Sequence, residues 1–256
     1  MELKDKLVVV TGAAGGIGKA LALRFAEEGA KLVVCADIDM SGAEAVAKSI
    51  NGVAYAVDVG KEADIQHLVE HVETHHGGID LFCSNAGILG QKGGPELPND
   101  LWQSMWDINV MSHIYAARHV VPRMQQRGRG YLLNTASAAG LLSQVGAAPY
   151  AVTKHAAVGF AEWLAITYGD DGIKTSVLCP QAVRTAMTKG FEDSVASVDG
   201  MLEPEVVADA CVQAIKEETF LVLPHEEVLN YMRHKTADYD RWIGGMQKLN
   251  RHYNKS

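Results

Sequence analysis

The sequence predicts an α/β fold in which helices cover both faces of a parallel sheet. Short apolar runs rich in β-branched residues alternate with longer segments of helical periodicity along most of the chain. This alternation is typical of parallel strands joined by right-handed helical crossovers. The short runs are almost continuously apolar, as expected for strands that are buried on both faces. We therefore predict a single-domain, doubly wound fold with a seven-stranded parallel sheet.

The predicted elements fall within residues 1–223, which we assign to one domain. The strands are expected at 6–10, 31–36, 53–57, 79–84, 130–136, 174–178 and 220–223. The helices are expected at 17–29, 41–50, 62–76, 99–127, 149–169 and 204–217. Residues 185–203 are too long for a simple turn and predict a lid or substrate loop. Residues 224–256 form an amphipathic extension that is expected to pack on its own domain or on a neighbouring subunit.

Composition excludes several classes of partner. The net charge of -8 opposes binding to nucleic acid, because phosphate neutralisation needs a basic surface. The longest apolar runs have the length of a strand, which is too short to span a bilayer, and no polybasic run favours a membrane surface. The first residues lack the pattern of a signal peptide. Four cysteines without C-x-x-C spacing predict buried free thiols, and we expect a cytoplasmic protein.

A glycine-rich turn follows the first predicted strand. Residues Thr11 to Gly18 read TGAAGGIG and lead into a helix-forming segment. A strand, a tight turn and a helix N-terminus together present unpaired N–H groups and a positive dipole end to a pyrophosphate. Gly12 and Gly16 let the backbone turn, and Gly18 lets the helix pack on the strand. A purely structural turn is the alternative, but the flanking elements favour a dinucleotide site that includes Ile17.

Asp37 indicates which dinucleotide is bound. It ends the second predicted strand, nineteen residues after Gly18. A carboxylate at this place can accept hydrogen bonds from both hydroxyls of the adenosine ribose, and it repels a 2′-phosphate. No Arg or Lys stands at position 38 or between Gly12 and Gly16. We predict that the cofactor is NAD rather than NADP.

Tyr150, Lys154 and Ser137 form the predicted catalytic group. Tyr150 and Lys154 are four residues apart, so a phenol and an ammonium share one helix face. Ser137 follows the fifth predicted strand, at the sheet edge where ligands bind in open α/β folds. An ammonium about 4–5 Å away, at an effective dielectric constant near 20, offers roughly 3–4 kcal/mol. That is enough to lower the pKa of a tyrosine from about 10 toward 8, which predicts hydride chemistry with Tyr150 as general acid/base.

With these motifs the sequence resembles the short-chain dehydrogenase/reductase family from about residue 5 to residue 223. The resemblance implies a Rossmann fold and an oxidoreductase acting on an alcohol or ketone. It also implies that Ser137 holds the substrate oxygen, that Tyr150 is the acid/base and that Lys154 binds the nicotinamide ribose. Asn109 is similar to the family's fourth catalytic residue, which anchors a water in the proton relay.

The resemblance implies further cofactor contacts. They are Asp58 and Val59 at the adenine, Asn85, Ala86 and Gly87 at the centre of the cofactor, and Pro180, Val183 and Thr185 at the nicotinamide end. Two positions depart from the family's usual pattern, because Ser84 stands where Asn is more usual and Gln181 where Gly is frequent. The second departure is expected to alter the wall of the substrate pocket.

The predicted substrate pocket is largely apolar. Its expected lining is Ser137, Leu141, Leu142, Gln144, Val145 and Tyr150, together with Met187 and Phe191 from the 185–203 loop. This lining favours a secondary alcohol on a hydrophobic or cyclic skeleton over a charged sugar. Two alternatives remain open, namely a catalytically silent regulator that binds NAD and a non-redox reaction such as dehydration.

Two other patterns bear on metals and assembly. His67, His71 and His75 repeat at helical spacing, but apolar residues occupy the core side of the same segment. We therefore expect a solvated histidine face and no metal site. The segments 99–127 and 149–169 resemble the long helices that pair across a two-fold axis in members of the family, so we expect a homotetramer.

Overall fold

The computed structural model describes residues 1–190 and 194–253. Seven strands form one sheet in the order β3-β2-β1-β4-β5-β6-β7. They are β1 Leu7–Thr11, β2 Leu32–Asp37, β3 Val53–Ala56, β4 Leu81–Ser84, β5 Gly130–Thr135, β6 Ile173–Leu178 and β7 Leu221–Val222. Every neighbouring pair is parallel, so the predicted fold class is confirmed. The strand order reverses between β1 and β4, which is where open α/β sheets bind their ligands.

Ten α-helices surround the sheet in the described residues. They are α1 Gly16–Glu27, α2 Met40–Ser49, α3 Glu62–His75, α4 Asn99–Trp106, α5 Ser112–Arg127, α6 Ala139–Leu142, α7 Ala148–Tyr168, α8 Pro204–Glu217, α9 Glu227–Ala237 and α10 Tyr239–Tyr253. One of the core clusters joins the sheet to α1, α2 and α8, and a second joins it to α3, α5 and α7.

The composition of β1 explains its central position. All five of its residues are buried, and their side chains alternate between the two faces of the sheet. Val8 and Val10 belong to the core cluster on the α1 side, whereas Leu7 and Val9 belong to the cluster on the α3 side. Burial of each such aliphatic side chain contributes about 1.5–3 kcal/mol. The four aliphatic residues of β1 therefore stabilise the sheet from both of its faces.

Some elements differ from their predictions. The single helix expected at 99–127 is instead α4 and α5, joined by a π-helical turn at Asp107–Met111. The short helix α6 follows β5 and was not predicted, because four residues are too few to show a helical period. The last strand is two residues long, so it is shorter than the predicted 220–223.

The C-terminal extension forms two helices, and the first packs on its own domain. Val228 of α9 is buried in a cluster with residues of the α6 region. Lys235 donates a hydrogen bond to the carbonyl of Leu141 at 2.6 Å, and Tyr231 donates to Asp199 at 3.0 Å. Helix α10 contacts α9 and has no fully buried residue. The extension therefore reaches both α6 and the loop that follows β6.

Candidate active site

A cleft of about 400 Å³ opens at the carboxyl edge of the sheet, and its size is that of a cofactor pocket. Its lining includes all predicted cofactor residues, namely Gly12, Gly16, Ile17, Gly18, Asp37, Asp58, Val59, Asn85, Ala86, Gly87, Tyr150, Lys154, Pro180, Val183 and Thr185. Ser137 and Met187 also line it. The structure thus brings the dinucleotide turn and the predicted catalytic group to one place.

The glycine turn between β1 and α1 has the geometry of a phosphate cradle. Gly12 and Gly16 have φ angles of +69° and +51°, which side-chain-bearing residues rarely adopt. A Cβ on Gly18 would collide with the Gly12 carbonyl oxygen, so only glycine lets α1 lie this close to the turn. The space beside Gly15 is open, and no side chain caps the start of α1. The free N–H groups at that helix end fit a pyrophosphate.

Asp37 lies at the end of β2 with its carboxylate held by the backbone. Oδ2 accepts a hydrogen bond from the Ala14 N–H at 2.9 Å, and Oδ1 accepts one from the Asp39 N–H at 3.0 Å. A carboxylate has about four acceptor sites, so two of them remain for a ligand. Ile38 lies beside it in the cleft wall, where 74% of its surface is exposed. This arrangement offers acceptors to a ribose and an apolar surface to a base.

Thr11 and Asn85 connect the strands beneath the cleft. Thr11 Oγ1 accepts hydrogen bonds from the N–H groups of Asn85 at 2.9 Å and Ala86 at 3.1 Å. Asn85 Nδ2 donates to the Thr11 carbonyl at 3.0 Å, and its Oδ1 accepts from Thr135 Oγ1 at 3.1 Å. These bonds hold the ends of β1, β4 and β5 together. Neither Thr11, which opens the glycine motif, nor Thr135 had a role predicted from the sequence.

Ser137, Tyr150 and Lys154 meet in the cleft. Ser137 follows β5, and its Oγ donates to the Pro180 carbonyl at 3.3 Å and accepts from the Ala139 N–H at 3.1 Å. Tyr150 lies in the first turn of α7. Lys154, one turn later, is buried with its Nζ 5.7 Å from the centre of the Tyr150 ring. This Nζ donates to the Thr135 carbonyl at 3.2 Å.

Burial dominates the pKa values of Tyr150 and Lys154. It lowers the pKa of Lys154 to about 8. Burial also raises the pKa of Tyr150, and the hydrogen bond with Ser137 opposes that rise. The net direction is opposite to the expected lowering of the Tyr150 pKa, because desolvation of the phenol is the largest effect on it.

Asn109 lies in the π-helical turn behind the cleft and is fully buried. Its Oδ1 accepts from the Ile88 N–H at 2.9 Å, and its Nδ2 donates to the Ile88 carbonyl at 2.9 Å. A Cβ on Gly87 would come within 3.2 Å of Asn109 Oδ1 and 3.3 Å of Lys154 Nζ. The Asn109 side chain thus fixes the segment after β4, close to Lys154. It is not among the residues that line the cleft.

The predicted substrate residues are divided between two cavities. Met187 lines the catalytic cleft, and 42% of its surface is exposed. Gln144 instead lines a neighbouring shallow cavity, together with Gly93, Ser143 and Val152. Phe191 lies outside the described residues. The turn of α6 separates Gln144 from Ser137, which the strand and helix pattern could not show.

The remaining polar clusters have no ligand geometry in the described residues. His67, His71 and His75 are exposed on α3, as expected for a solvated face. Within residues 1–190 and 194–253, no group of three or more His, Cys, Asp or Glu side chains is placed to hold a metal ion. The four cysteines are buried and unpaired. No helix in these ranges is both long and apolar enough to cross a bilayer.

The family model for the short chain dehydrogenases matches residues 6–196. The chain belongs to this family. The match covers the strands from β1 to β6, the glycine turn and the residues Ser137, Tyr150 and Lys154. It ends before α8, β7 and the C-terminal extension.

Relatives with named activities cover most of the chain. It is 34% identical over 252 residues to the 1-deoxy-11-beta-hydroxypentalenate dehydrogenase of Streptomyces exfoliatus, covering 95% of this chain and 91% of the relative. It is 31% identical over 229 residues to the human epidermal retinol dehydrogenase 2, covering 86% and 74%. Among solved structures, a short-chain dehydrogenase/reductase from Burkholderia phymatum in complex with NAD matches with a TM-score of 0.87 and 26% identity, covering 94% and 96%.

Proposed function

We propose that this chain is an NAD-dependent alcohol dehydrogenase or carbonyl reductase that transfers a hydride between a secondary alcohol or ketone and the nicotinamide. The observation that carries the proposal is the meeting of Ser137, Tyr150 and Lys154 in the same cleft as the glycine turn and Asp37. The two relatives named above are dehydrogenases of a hydroxypentalenate and of retinol, which supports a hydrophobic or cyclic alcohol as substrate.

The residues of the cleft have distinct tasks in this proposal. When bound, NAD supplies the acceptor for the hydride of the carbinol carbon. Ser137 donates a hydrogen bond to the substrate oxygen, for which it exchanges its bond to the Pro180 carbonyl. Tyr150 removes the hydroxyl proton during oxidation, and in the reverse direction its phenol polarises the carbonyl. Asn109 is proposed as the fourth catalytic-site residue, which holds the segment after β4 in place beside Lys154.

Burial raises the pKa of the Tyr150 phenol, so its use as a base requires positive charge nearby. A base that works near pH 8 needs its pKa lowered by at least two units, which is about 2.7 kcal/mol. The charge of an oxidised nicotinamide in the cleft would add to that of Lys154, and each nearby charge contributes roughly 3–4 kcal/mol at an effective dielectric constant near 20. Lys154, with its Nζ 5.7 Å from the centre of the Tyr150 ring, is the residue of the cleft lining that would supply such a charge.

Turnover with a panel of hydrophobic secondary alcohols tests the proposed function. NADH formation, followed by its absorbance, is the expected result. A catalytically silent regulator would bind NADH without turnover, and a dehydratase would consume substrate with no net reduction of cofactor. Either outcome would contradict the proposal.

Asp37 is proposed to select NAD. Asp37→Asn removes the charge but keeps one carbonyl oxygen as an acceptor. Asp37→Ala also removes the hydrogen bond from the Ala14 N–H. We expect both variants to reduce the preference for NAD over NADP by about tenfold or more, since the repulsion of a 2′-phosphate is lost. The ratio of kcat/KM values for the two cofactors measures this. A wild-type enzyme that prefers NADP would contradict the assignment.

Assembly as a homotetramer is part of the proposal. Val152, Trp163 and Ile166 form an apolar stripe on α7, and Ile166 is 78% exposed. Stripes of this kind on a soluble domain mark a surface that another protein covers. Light scattering is expected to give about four times the chain mass of 27.6 kDa. Trp163→Glu should lower the mass, whereas Val198→Glu, at an exposed position in the loop after β6, should not. A monomeric wild type would refute the assembly.

A further inference from the structure

One side chain of the C-terminal extension contacts the backbone next to the catalytic serine. His225 lies between β7 and α9, outside the residues that the family model matches. Only 5% of its surface is exposed. Its Nδ1 lies 3.2 Å from the backbone nitrogen of Gln181 and accepts that N–H. The imidazole must therefore be unprotonated at Nδ1 and carry its proton at Nε2.

The N–H of Gln181 and the carbonyl of Pro180 are two ends of one peptide group. That carbonyl accepts hydrogen bonds from Ser137 Oγ at 3.3 Å and from the Ala138 N–H at 2.8 Å. Because a peptide group is planar and rigid, a displacement of its N–H also moves its carbonyl oxygen. Hydrogen bonds at both ends of one amide also polarise each other. His225 and Ser137 are thus connected through a single peptide plane.

We infer that His225 is a positioning residue, which holds the Pro180–Gln181 peptide in place and, through the bond from the Ala138 N–H to the Pro180 carbonyl, fixes the backbone from which Ser137 reaches the substrate oxygen. This inference rests on the proposed function, because it assigns Ser137 to the substrate oxygen. His225 does not line the cleft and is not a catalytic residue. It acts on the reacting atoms only through the peptide and the serine.

The surrounding contacts hold the same peptide from the other side. Gln181 Nε2 donates to Asp199 Oδ2 at 2.9 Å, and Tyr231 Oη donates to Asp199 Oδ1 at 3.0 Å. Gln181 stands where many family members have glycine, so this chain has a side chain here that ties the peptide to the substrate loop and to α9. Burial lowers the pKa of His225, while the nearby Ala182 carbonyl and Asp199 carboxylate oppose that shift. The neutral, accepting form is therefore maintained at pH 7.

Two variants of similar polarity test whether His225 acts as a hydrogen-bond acceptor or only fills space. In Asn, Oδ1 is as many bonds from Cα as Nδ1 is in His, whereas the oxygen of Gln is one bond further away. His225→Asn therefore keeps an acceptor for the Gln181 N–H, and His225→Gln moves it. We expect His225→Asn to retain kcat within about twofold and His225→Gln to lose about tenfold, as for one misplaced hydrogen bond. The Kd for NADH and the Tm should be the same in both variants.

A purely structural role would lower the Tm or weaken NADH binding, and it would not separate Asn from Gln. Equal kcat values for the two variants would overturn the inference. A double-mutant comparison adds a second criterion, since residues that act through one another are not additive. In a Ser137→Ala background, the loss caused by His225→Gln should shrink to less than about twofold. A loss that stays at tenfold would show that His225 acts independently of the serine.

Failure of the proposed function would be recognised separately. If the wild type turns over no alcohol or ketone, the proposed function fails, and the peptide contact can still be measured by amide hydrogen exchange. Exchange of the Gln181 N–H is expected to be about tenfold faster in His225→Gln than in His225→Asn. Equal exchange rates would show that His225 does not hold this peptide, whatever the enzyme's activity.

Discussion

Tyr150→Phe is expected to lower kcat by a factor of about 10² to 10⁴, which is the range of general acid–base catalysis. The substitution removes only the phenolic oxygen, which exchanges a proton with the substrate in the proposed reaction. The ring and its packing at the start of α7 remain, so NADH should bind with an affinity within a few-fold of the wild type. Turnover with the best alcohol of the panel and a fluorescence titration with NADH measure the two quantities.

Tyr168→Phe is a suitable control for that experiment. Tyr168 ends the same helix, and its ring packs edge-on against Trp163 at 5.7 Å, away from the cleft. Its substitution should leave kcat unchanged. If Tyr150→Phe retained more than a tenth of the wild-type rate, the phenol would not be the proton acceptor, and another group in the cleft would have to take that role.

Lys154→Met is expected to abolish efficient turnover and to stabilise the cofactor-free protein. The pKa of the buried ammonium falls from 10.5 to about 8, and each unit corresponds to about 1.4 kcal/mol. The charged form therefore costs the fold about 3 kcal/mol at neutral pH. Loss of the hydrogen bond to the Thr135 carbonyl offsets about 1 kcal/mol of the gain. The net gain of about 2 kcal/mol should raise the Tm by about 4–8 °C.

The pH dependence of the stabilisation by Lys154→Met follows from the direction of the Lys154 pKa shift. Because the folded-state pKa of Lys154 is lowered, the unfolded chain binds more protons between pH 8 and pH 10.5, and wild-type stability from this group rises over that interval. The rise in Tm caused by Lys154→Met should be complete below about pH 8 and absent above about pH 10.5. Lys48→Met, at an exposed position of α2, should show no such difference. A lower Tm for Lys154→Met at pH 7 would contradict the assignment of a destabilised ammonium.

Local patterns were sufficient to predict the sheet, the glycine turn and the group of Ser137, Tyr150 and Lys154, whereas the other cofactor contacts after Asp37 were implied only by the family resemblance. The strand β1 and the glycines after it are adjacent in sequence, so their joint role is visible in the sequence. Tyr150 and Lys154 share a helix face by spacing alone. Ser137 is further along the chain, but a strand end places it at the correct edge of the sheet. These features depend on backbone geometry over a few residues, which the sequence directly specifies.

Features that depend on tertiary contacts were not predictable in the same way. The π-helical turn around Asn109 and the bonds of that side chain to Ile88 arise where α4 and α5 meet the segment after β4. The role inferred for His225 requires the C-terminal extension to fold back beside Pro180. The opposed pKa shifts of Lys154 and Tyr150 depend on how deeply each group is buried. No spacing rule contains that information.

A crystal structure of the protein with bound NAD tests the central claim most directly. We predict that the pyrophosphate lies against the turn from Gly12 to Gly16 and that the adenosine ribose contacts Asp37. The nicotinamide ring should then lie beside the Tyr150 hydroxyl, with Lys154 Nζ in contact with the adjoining ribose. A complex in which the ring lies outside the part of the cleft formed by Tyr150 and Ser137 would contradict the account.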